Sequence, residues 1–197
     1  MLIDQRYTVF EEAKVACRDC EIGKVYNRVI CSDGCKVNPL VVICGEAPGK
    51  DEVTEGKPFV GKAGKLLRST LNEFGFKRSN SLITNVIPCR PENNKFPSDN
   101  KLVNSCVSKW LKNEIEILSP KYMLLVGAKP LKFLLGTTGI TKLRGEWYSL
   151  FDSEILCMPT FHPSYVLRKQ YMKEGDEIKN SFRQDIKEVA IKSGFIQ

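Results

Sequence analysis

The sequence predicts an α/β protein, a three-layer α/β/α arrangement around a central four-stranded, mostly parallel sheet. Two observations support this fold class. Four short apolar runs have the length of buried strands, and segments with helical periodicity separate them along the chain. Strands that alternate with helices form βαβ units, which require helices on both faces of the sheet. The length of 197 residues and the 42% hydrophobic content suit a single domain, which we expect to span residues 1–197.

Each predicted element comes from a local pattern of residues. The strands are the apolar runs Leu40–Cys44, Leu82–Val86, Tyr122–Val126 and Ile155–Met158. The clearest helix follows Pro97-Ser98-Asp99, an N-cap signal, because apolar residues then recur on one face as far as Leu118. Further helices are predicted over about residues 62–74, 129–135 and 176–192.

Charge and cysteine content narrow the class of protein. Thirty Lys and Arg residues against 23 Asp and Glu residues give a net charge of +7, which favours an anionic partner such as nucleic acid. The sequence has neither an apolar run of about 18 residues nor the pattern of a secretory signal, so we expect no membrane partner and a cytoplasmic location. In a reducing compartment, eight cysteines indicate metal or cluster ligation, or simple burial, rather than disulfides.

Four unusual segments follow the four predicted strands. They are GEAPG, NVIPCRPENNKFP, VGAKP and PTFHPSYVLR. The carboxyl ends of parallel strands meet at one edge, where open α/β sheets bind their ligands. Chain order therefore predicts a single cleft built from these four segments.

The first segment opens a glycine-rich stretch, GEAPGKDEVTEGKPFVGKAGKLL, residues 45–67. Its glycines would let backbone amides approach a ligand that is not protein. Residues 56–63 nearly match a phosphate-binding P-loop, but Ala63 has no hydroxyl for magnesium, and the segment starts about a dozen residues beyond its strand. The stretch therefore does not indicate a nucleotidase.

Three motifs together resemble a known family. GEAPGKDEVTEGKPFVGKAGKLL, TNVIPCRPENNKFP and HPSYVLR are similar, in order and spacing, to the motifs of the family 4 uracil-DNA glycosylases, the iron–sulfur members of their superfamily. The resemblance covers about residues 14–190. It implies a base-excision-repair enzyme that flips uracil out of DNA and hydrolyses the N-glycosidic bond, leaving an abasic site. We expect a monomer with uracil-containing DNA as its partner. Two alternatives stay open: a glycosylase-like DNA-binding module without catalysis, and a glycosylase for another deaminated base.

The cysteine pattern allows two ligand sets. The resemblance implies a structural four-iron, four-sulfur cluster held by Cys17, Cys20, Cys89 and Cys106. Chain order also permits tetrahedral zinc bound by Cys17, Cys20, Cys31 and Cys35. Plain burial is an alternative for Cys106, which lies on the apolar face of its helix. We expect Cys44 and Cys157, in apolar strands, to be core residues.

The predicted catalytic residues are His162 and Glu52. His162 is the only histidine, and the resemblance implies that it stabilises charge on uracil O2 as the base departs. The resemblance makes Glu52 the carboxylate that orients water or faces an oxocarbenium-like sugar. Val53 stands where relatives commonly have a second acidic residue, which argues against a mechanism that needs a carboxylate pair. The alternatives are a core histidine and an exposed loop glutamate.

The predicted uracil pocket consists of Glu46, Ala47, Phe59, Asn85 and Asn94. Glu46 and Ala47 belong to the segment that shapes the pocket, and the resemblance implies that the Phe59 ring stacks on the base. The Asn85 amide carries both a donor and an acceptor, which the pyrimidine edge requires at N3 and O4. The alternatives are backbone capping for Asn85 and core packing for Phe59. Asn94 would support the site or contact DNA.

The remaining predicted contacts are with the DNA backbone and groove. From Ser164 to Arg168 the chain would form a loop in the minor groove, where Val166 or Leu167 fills the space of the departed base. Lys62 suits a backbone phosphate. A solvated lysine on a helix face would show the same pattern.

Overall fold

A computed structural model describes residues 2–26, 28–151 and 153–197. Its strands within these ranges are β1 (Asp33–Gly34), β2 (Val41–Gly45), β3 (Ser81–Asn85), β4 (Tyr122–Val126), β5 (Tyr148–Ser149) and β6 (Leu156–Thr160). They form one sheet in the order β1-β3-β2-β4-β6-β5. The four central strands run parallel, and β1 and β5 pair antiparallel with the outer two. The predicted α/β class with a mostly parallel sheet is confirmed.

Helices connect the strands and flank the sheet. They are α1 (Ile3–Val15), α2 (Glu21–Tyr26), α3 (Lys50–Glu55), α4 (Lys62–Glu73), α5 (Asn100–Cys106), α6 (Asn113–Leu118), α7 (Ala128–Leu135), α8 (Ile140–Leu143), α9 (Pro163–Lys169) and α10 (Gly175–Lys192). A π-helical stretch, Val107–Lys112, joins α5 to α6. The Asp99 carboxylate accepts hydrogen bonds from the backbone N–H groups of Lys101 and Leu102, which confirms the predicted N-cap.

In the described residues the sheet has six strands, two more than predicted. The edge strands β1 and β5 were not predicted because each is only two residues long. Neither edge strand contains the apolar run that marks a buried strand. At β1, Gly34 has a φ of 135°, and a Cβ there would collide with the carbonyl oxygen of Ser81 in β3. A glycine is therefore required for this edge to close on β3.

Alternate residues of the central strands enter two apolar cores. Ile43 and Leu124 face one core, which α4, α9 and α10 complete, whereas Cys44 and Leu125 face the other, which α1, α5 and α6 complete. This alternation is the two-residue period of a strand buried on both faces. Cys157 is in the second core with Cys44, and both are fully buried, as predicted.

A buried ionic network fastens α1 to the rest of the molecule. The Glu114 carboxylate of α6 accepts hydrogen bonds from the Tyr7 hydroxyl at 2.6 Å and from the Lys14 ammonium at 3.0 Å. The hydroxyls of Ser32 and Thr84 bind the same carboxylate at 2.6 and 2.9 Å. All five side chains are buried, so the helix is held by polar contacts inside the core.

In the part of the chain that the structure describes, no helix is both long enough and apolar enough to cross a membrane.

Candidate active site

A cleft of about 840 Å³ lies at the carboxyl ends of the central strands. Its walls come from the glycine-rich stretch, the end of β3, the turn after β4 and the start of α9. The predicted residues that line it are Glu46, Ala47, Glu52, Phe59, Lys62, Asn85, Asn94, His162, Ser164 and Arg168. The sheet edge expected to hold the ligand therefore does carry a cleft, and it brings these residues together.

His162 is fixed in one orientation and one tautomer. It is the N-cap of α9, and its Nδ1 accepts a hydrogen bond from the backbone N–H of Ser164 at 3.2 Å, with the Ser164 hydroxyl oxygen 2.7 Å away. Because Nδ1 accepts from a backbone N–H, the proton of the neutral ring is on Nε2. The pKa of His162 is lowered to about 4, chiefly by burial and next by the Arg168 guanidinium, while Glu52 acts in the opposite direction. At neutral pH the ring is an uncharged N–H donor.

The end of β6 is anchored just before this histidine. The Thr160 hydroxyl donates to the buried Asp185 carboxylate at 2.7 Å, and the Arg144 guanidinium donates to the same oxygen at 2.8 Å. The Thr160 carbonyl accepts from the Gly127 N–H at 2.9 Å, which ties β6 to the turn after β4. These contacts fix the backbone that positions His162.

Gly127 allows Glu46 and His162 to approach each other. It has a φ of 104°, and a Cβ there would lie 3.0 Å from Glu46 Oε1 and 3.1 Å from His162 Cβ. Burial raises the pKa of Glu46, while Lys129 and Arg168 act in the opposite direction. Gly127 therefore leaves room for both side chains, and the Glu46 carboxyl is partly buried in the cleft.

Glu52 ties the glycine-rich stretch together. Its Oε1 accepts from the backbone N–H groups of Val60 and Gly61 at 3.0 and 3.1 Å, and its Oε2 accepts from Gly49 at 3.0 Å. With both oxygens engaged, the carboxylate fixes the loop and stays close enough to act electrostatically on His162. Asp51 lines the same cleft and was missed at the level of sequence, although it precedes Glu52.

Phe59 and the Asn85 amide meet above the last residue of β2. A Cβ on Gly45 would collide with the Phe59 ring and would lie 2.5 Å from Asn85 Oδ1. Asn85 pairs with Gly45 in the sheet, is 7% exposed and lines the cleft, and no side-chain hydrogen bond of its amide is found among the described residues. The Phe59 and His162 ring centroids are 6.1 Å apart. An aromatic face, a free amide and an imidazole donor therefore share one pocket.

Arg68 holds Phe59 in its unusual backbone conformation. Phe59 has a φ of 55°, which is uncommon outside glycine. The Arg68 guanidinium donates to the carbonyl oxygens of Phe59 at 3.0 Å and of Pro58 at 2.7 Å, and it pairs with Asp33 at 2.8 Å. The sequence analysis did not single out this clamp, because Asp33 lies in the short edge strand β1.

The segment after His162 requires a correction. Val166 is only 2% exposed and packs in the core between β6 and α4, so it is not available to enter DNA. Of the two predicted apolar candidates, Leu167 remains. Arg168 is exposed and donates to the Ser164 hydroxyl at 3.2 Å.

Asn94 lies at the rim of the cleft and is exposed. Its Oδ1 accepts from Arg90 at 2.9 Å, and the Arg90 guanidinium stacks 4.5 Å from the centre of the Tyr26 ring. The rim is thus linked to α2. Sequence reasoning also missed apolar lining residues of the cleft, among them Phe96, Ile140, Phe161 and Tyr165.

The four predicted cluster ligands are near enough to influence one another's ionisation. The pKa of the Cys106 thiol is raised to about 12, chiefly by burial and next by Cys89, Cys20 and Cys17, while Lys14 acts in the opposite direction. The pKa of Cys89 is likewise raised to about 11, chiefly by burial, with Cys20 and Cys17 contributing next. A Cβ on Gly23 would lie 3.8 Å from the Cys89 sulfur. The four thiols thus come near one another from three segments of the chain.

The zinc tetrad does not form in this structure. The charged groups that act on Cys31 are Lys14, Glu11, Glu114 and Lys36, not the other cysteines of that set. Cys35 instead donates to the Val37 carbonyl. Within residues 2–26, 28–151 and 153–197, no three His, Cys, Asp or Glu side chains are close enough to bind one metal ion. This holds for Cys17, Cys20, Cys89 and Cys106 as much as for the zinc set.

Comparison with known proteins agrees with this geometry. The family model of the uracil DNA glycosylase superfamily matches residues 31–187. The type-4 uracil-DNA glycosylase of Sulfurisphaera tokodaii is 33% identical over 189 residues, which cover 92% of this chain and 83% of that protein. The type-4 enzyme of Thermotoga maritima is 33% identical over 180 residues, 90% of each chain, and that of Saccharolobus solfataricus is 35% identical over 159 residues, 77% of this chain and 72% of the relative. The chain therefore belongs to the uracil-DNA glycosylase superfamily, within its type-4 family.

Proposed function

We propose that this protein excises uracil from DNA by hydrolysing the N-glycosidic bond, leaving an abasic site for base excision repair. The observation that carries the proposal is the pocket in which a neutral imidazole donor, an aromatic ring and an unpartnered amide converge. Each group matches one need of a flipped uracil: a donor at O2, a stacking face and a hydrogen-bonding edge. The type-4 relatives carry the same activity in their names.

Phe59 and Asn85 would recognise the base. Uracil that leaves the DNA stack loses its neighbours, and the Phe59 ring replaces one of them. The Asn85 amide, free of protein partners in the described chain, offers an acceptor to N3–H and a donor to O4. Glu46, Ala47 and Asn94 complete the walls and rim of the pocket.

His162 would promote cleavage of the glycosidic bond by stabilising the leaving uracil. When the glycosidic bond breaks, its electron pair leaves with uracil N1 and the negative charge spreads onto O2. The Nε2–H of His162 donates to that oxygen, and because the ring is already fixed by Ser164, no reorganisation is required in the transition state. Water adds to the sugar cation and releases a proton to solvent. Glu52, held by three backbone donors, supplies a fixed negative charge near the sugar.

DNA contact is assigned to the exposed side of the same cleft. Lys62 and Arg168 are exposed and suit phosphates, while Ser164 and Leu167 lie on the helix that would enter the minor groove. The single sheet with two apolar cores suits one domain over residues 1–197 that acts as a monomer.

We further assign a structural four-iron, four-sulfur cluster to Cys17, Cys20, Cys89 and Cys106. The mutual influence of these thiols on one another's pKa supports the assignment. Once bound, the group would cross-link three segments of the chain and would supply no redox step. Arg90 is next to Cys89 and would hold Asn94 in place through its hydrogen bond.

The activity is tested with an oligonucleotide that contains one uracil. Uracil release with an alkali-labile abasic product supports the proposal, whereas binding without release favours a DNA-binding module. Release of hypoxanthine but not uracil would favour a different base. For the cluster, Cys89→Ser should lose iron, sulfide and visible absorption, while Cys35→Ser, outside the set, should retain all three. A colourless, iron-free parent protein purified without oxygen would contradict the assignment.

A further inference from the structure

The turn that follows α9 presents a tyrosine to solvent. Tyr171 is 92% exposed, the highest value among the large apolar side chains in the described residues, and the adjacent Met172 is 52% exposed. Single exposed apolar residues are common, but two adjacent ones beside a ligand cleft call for an explanation.

Tyr171 continues a row of cleft residues along one side of the helix. Helix α9 ends at Lys169, the C-cap Gln170 keeps right-handed helical backbone angles, and the Met172 N–H donates to the Lys169 carbonyl, so a single turn carries the chain through Gln170 and Tyr171. Ser164, Arg168 and Tyr171 are then spaced by four and three residues, which places them on one face. Ser164 and Arg168 line the cleft and bind each other. The Tyr171 ring is therefore the next group beyond Arg168 on the cleft side.

The turn is braced rather than loose. The Gly175 N–H donates to the Met172 carbonyl at 2.9 Å, and Lys169 pairs with Glu174 at 2.9 Å across the turn. Gly175 also packs so tightly that a Cβ there would lie 2.5 Å from the Lys169 carbonyl oxygen. A ring held out by such a turn loses little conformational freedom when it meets a partner.

We propose that Tyr171 is a DNA-stacking residue that contacts the substrate strand away from the flipped nucleotide. The inference rests on the proposed function, since it extends the DNA surface of that cleft. Tyr171 lies nine positions after His162, and α9 makes up seven of them, so the helical rise between the two residues is at most about 14 Å at 1.5 Å per residue. At about 3.4 Å per nucleotide along a strand, the contact lies roughly four nucleotides from the extruded base.

Stacking, rather than charge, is the basis of this contact. Glu174 already binds Lys169, and Asp176 and Glu177 open the next helix, so the acidic residues near the turn equal Arg168, Lys169 and Lys173 in number. An aromatic face needs no such charge and accepts any base, whatever its sequence.

The test compares Tyr171→Ala and Tyr171→Phe with Phe151→Ala, which removes a 44% exposed ring elsewhere. Affinity for abasic-site DNA with ten nucleotides on each side of the lesion should fall roughly 5- to 100-fold in Tyr171→Ala. It should change less than about twofold in Tyr171→Phe, which keeps the ring, and in the control.

A second comparison varies the length of the DNA on one side of the abasic site. If one flank is shortened to two nucleotides, the parent and Tyr171→Ala should bind equally well, because the contacted base is gone. Equal affinity on long DNA, or an unchanged defect on DNA shortened on either side, would overturn the inference while uracil release by the parent still stands. A parent that releases no uracil and does not bind abasic DNA would overturn the proposed function as well.

Discussion

Two sets of buried polar groups in this molecule differ in how completely their hydrogen bonds are satisfied. Glu114 is 1% exposed, and Tyr7, Lys14, Ser32 and Thr84 all bind its carboxylate. Asn85 is 7% exposed and lines the cleft, no side-chain hydrogen bond of its amide is found among the described residues, and the one fully buried side-chain polar atom without a partner there is Ser193 Oγ. Burial alone does not distinguish the two sets. Spare hydrogen-bonding capacity does, and it marks the groups that are available to a ligand.

The two regions also differ in the charge of their central groups: Glu114 is ionised, whereas His162 is neutral. Burial alone would raise the pKa of Glu114, but Lys14, Ser32 and Tyr7 outweigh it and lower the pKa, so the carboxylate stays ionised. Burial also raises the pKa of the Tyr7 hydroxyl, which keeps it a donor. At the cleft, burial lowers the pKa of His162 and keeps the imidazole neutral. Glu114 therefore stays charged inside the core, whereas His162, the proposed catalytic donor, stays neutral at the cleft.

The largest expected effect is on stability, in Glu114→Ala. Removal of the carboxylate leaves the Lys14 ammonium and the Tyr7 hydroxyl buried without their partner, which should cost about 3–5 kcal/mol of unfolding free energy. Chemical denaturation at pH 7 measures it. Glu116→Ala, an exposed glutamate of the same helix, is the control and should change stability by less than about 0.5 kcal/mol. A Glu114 variant as stable as this control would mean that the network is not structural.

This network also shows where prediction from sequence stops. The four central strands were found to within one or two residues because continuous apolar runs mark them, and β4 was found at its observed bounds, Tyr122–Val126. Helix α1 was not predicted, because its fully buried side chains are Tyr7 and Lys14, whose burial depends on Glu114 about a hundred residues away. No local pattern of apolar residues reports a contact of that kind.

The site shows a similar division. His162, Phe59 and Asn85 were predicted from motifs and from their positions after strands, and they do line one cleft. The roles of Gly127, which lies in the predicted cleft segment VGAKP, and of Arg68 were not predicted, since they depend on a close approach and on three acceptors from two segments of the chain. Val166 was grouped with the DNA loop, although the helical turn after His162 directs it into the core.

The next largest effect is on catalysis, in His162→Ala. Loss of one preorganised donor should slow single-turnover uracil release about a hundredfold to a thousandfold. Affinity for abasic-site DNA, governed mainly by phosphate contacts, should change little. Glu114→Ala provides the converse case: its folded fraction should release uracil at the parent rate. If His162→Ala cleaves within about threefold of the parent, less than 1 kcal/mol, the histidine is structural.

A smaller effect is expected from the clamp on Phe59. Arg68→Ala removes donors to the carbonyls of Pro58 and Phe59 and frees a loop whose Phe59 backbone is left-handed. Uracil release should slow about tenfold, equivalent to about 1.4 kcal/mol. Arg78→Ala is the matched control, because Arg78 also pairs with Asp33 but has no contact with either carbonyl among the described residues. Equal losses in the two variants would assign the effect to Asp33 rather than to Phe59.

The smallest expected effect is a change in stability with pH, which arises because the folded protein keeps His162 neutral. The pKa of His162 is about 4 in the folded protein against 6.5 for the free side chain, so between these values the unfolded chain binds a proton that the folded chain does not. Stability therefore falls as pH drops below 6.5, and the loss is complete below pH 4. Between pH 7.5 and pH 6 this should amount to about 0.8 kcal/mol in the parent, and His162→Asn should lack that share of the decline.

Uracil release should show no step near pH 6.5, because the proposed catalytic ring does not titrate there. Denaturation of both proteins at matched pH, beside single-turnover rates of the parent, measures the two quantities. A parent rate that halves near pH 6.5 would mean that the folded imidazole titrates as an exposed one, and that burial does not hold it neutral.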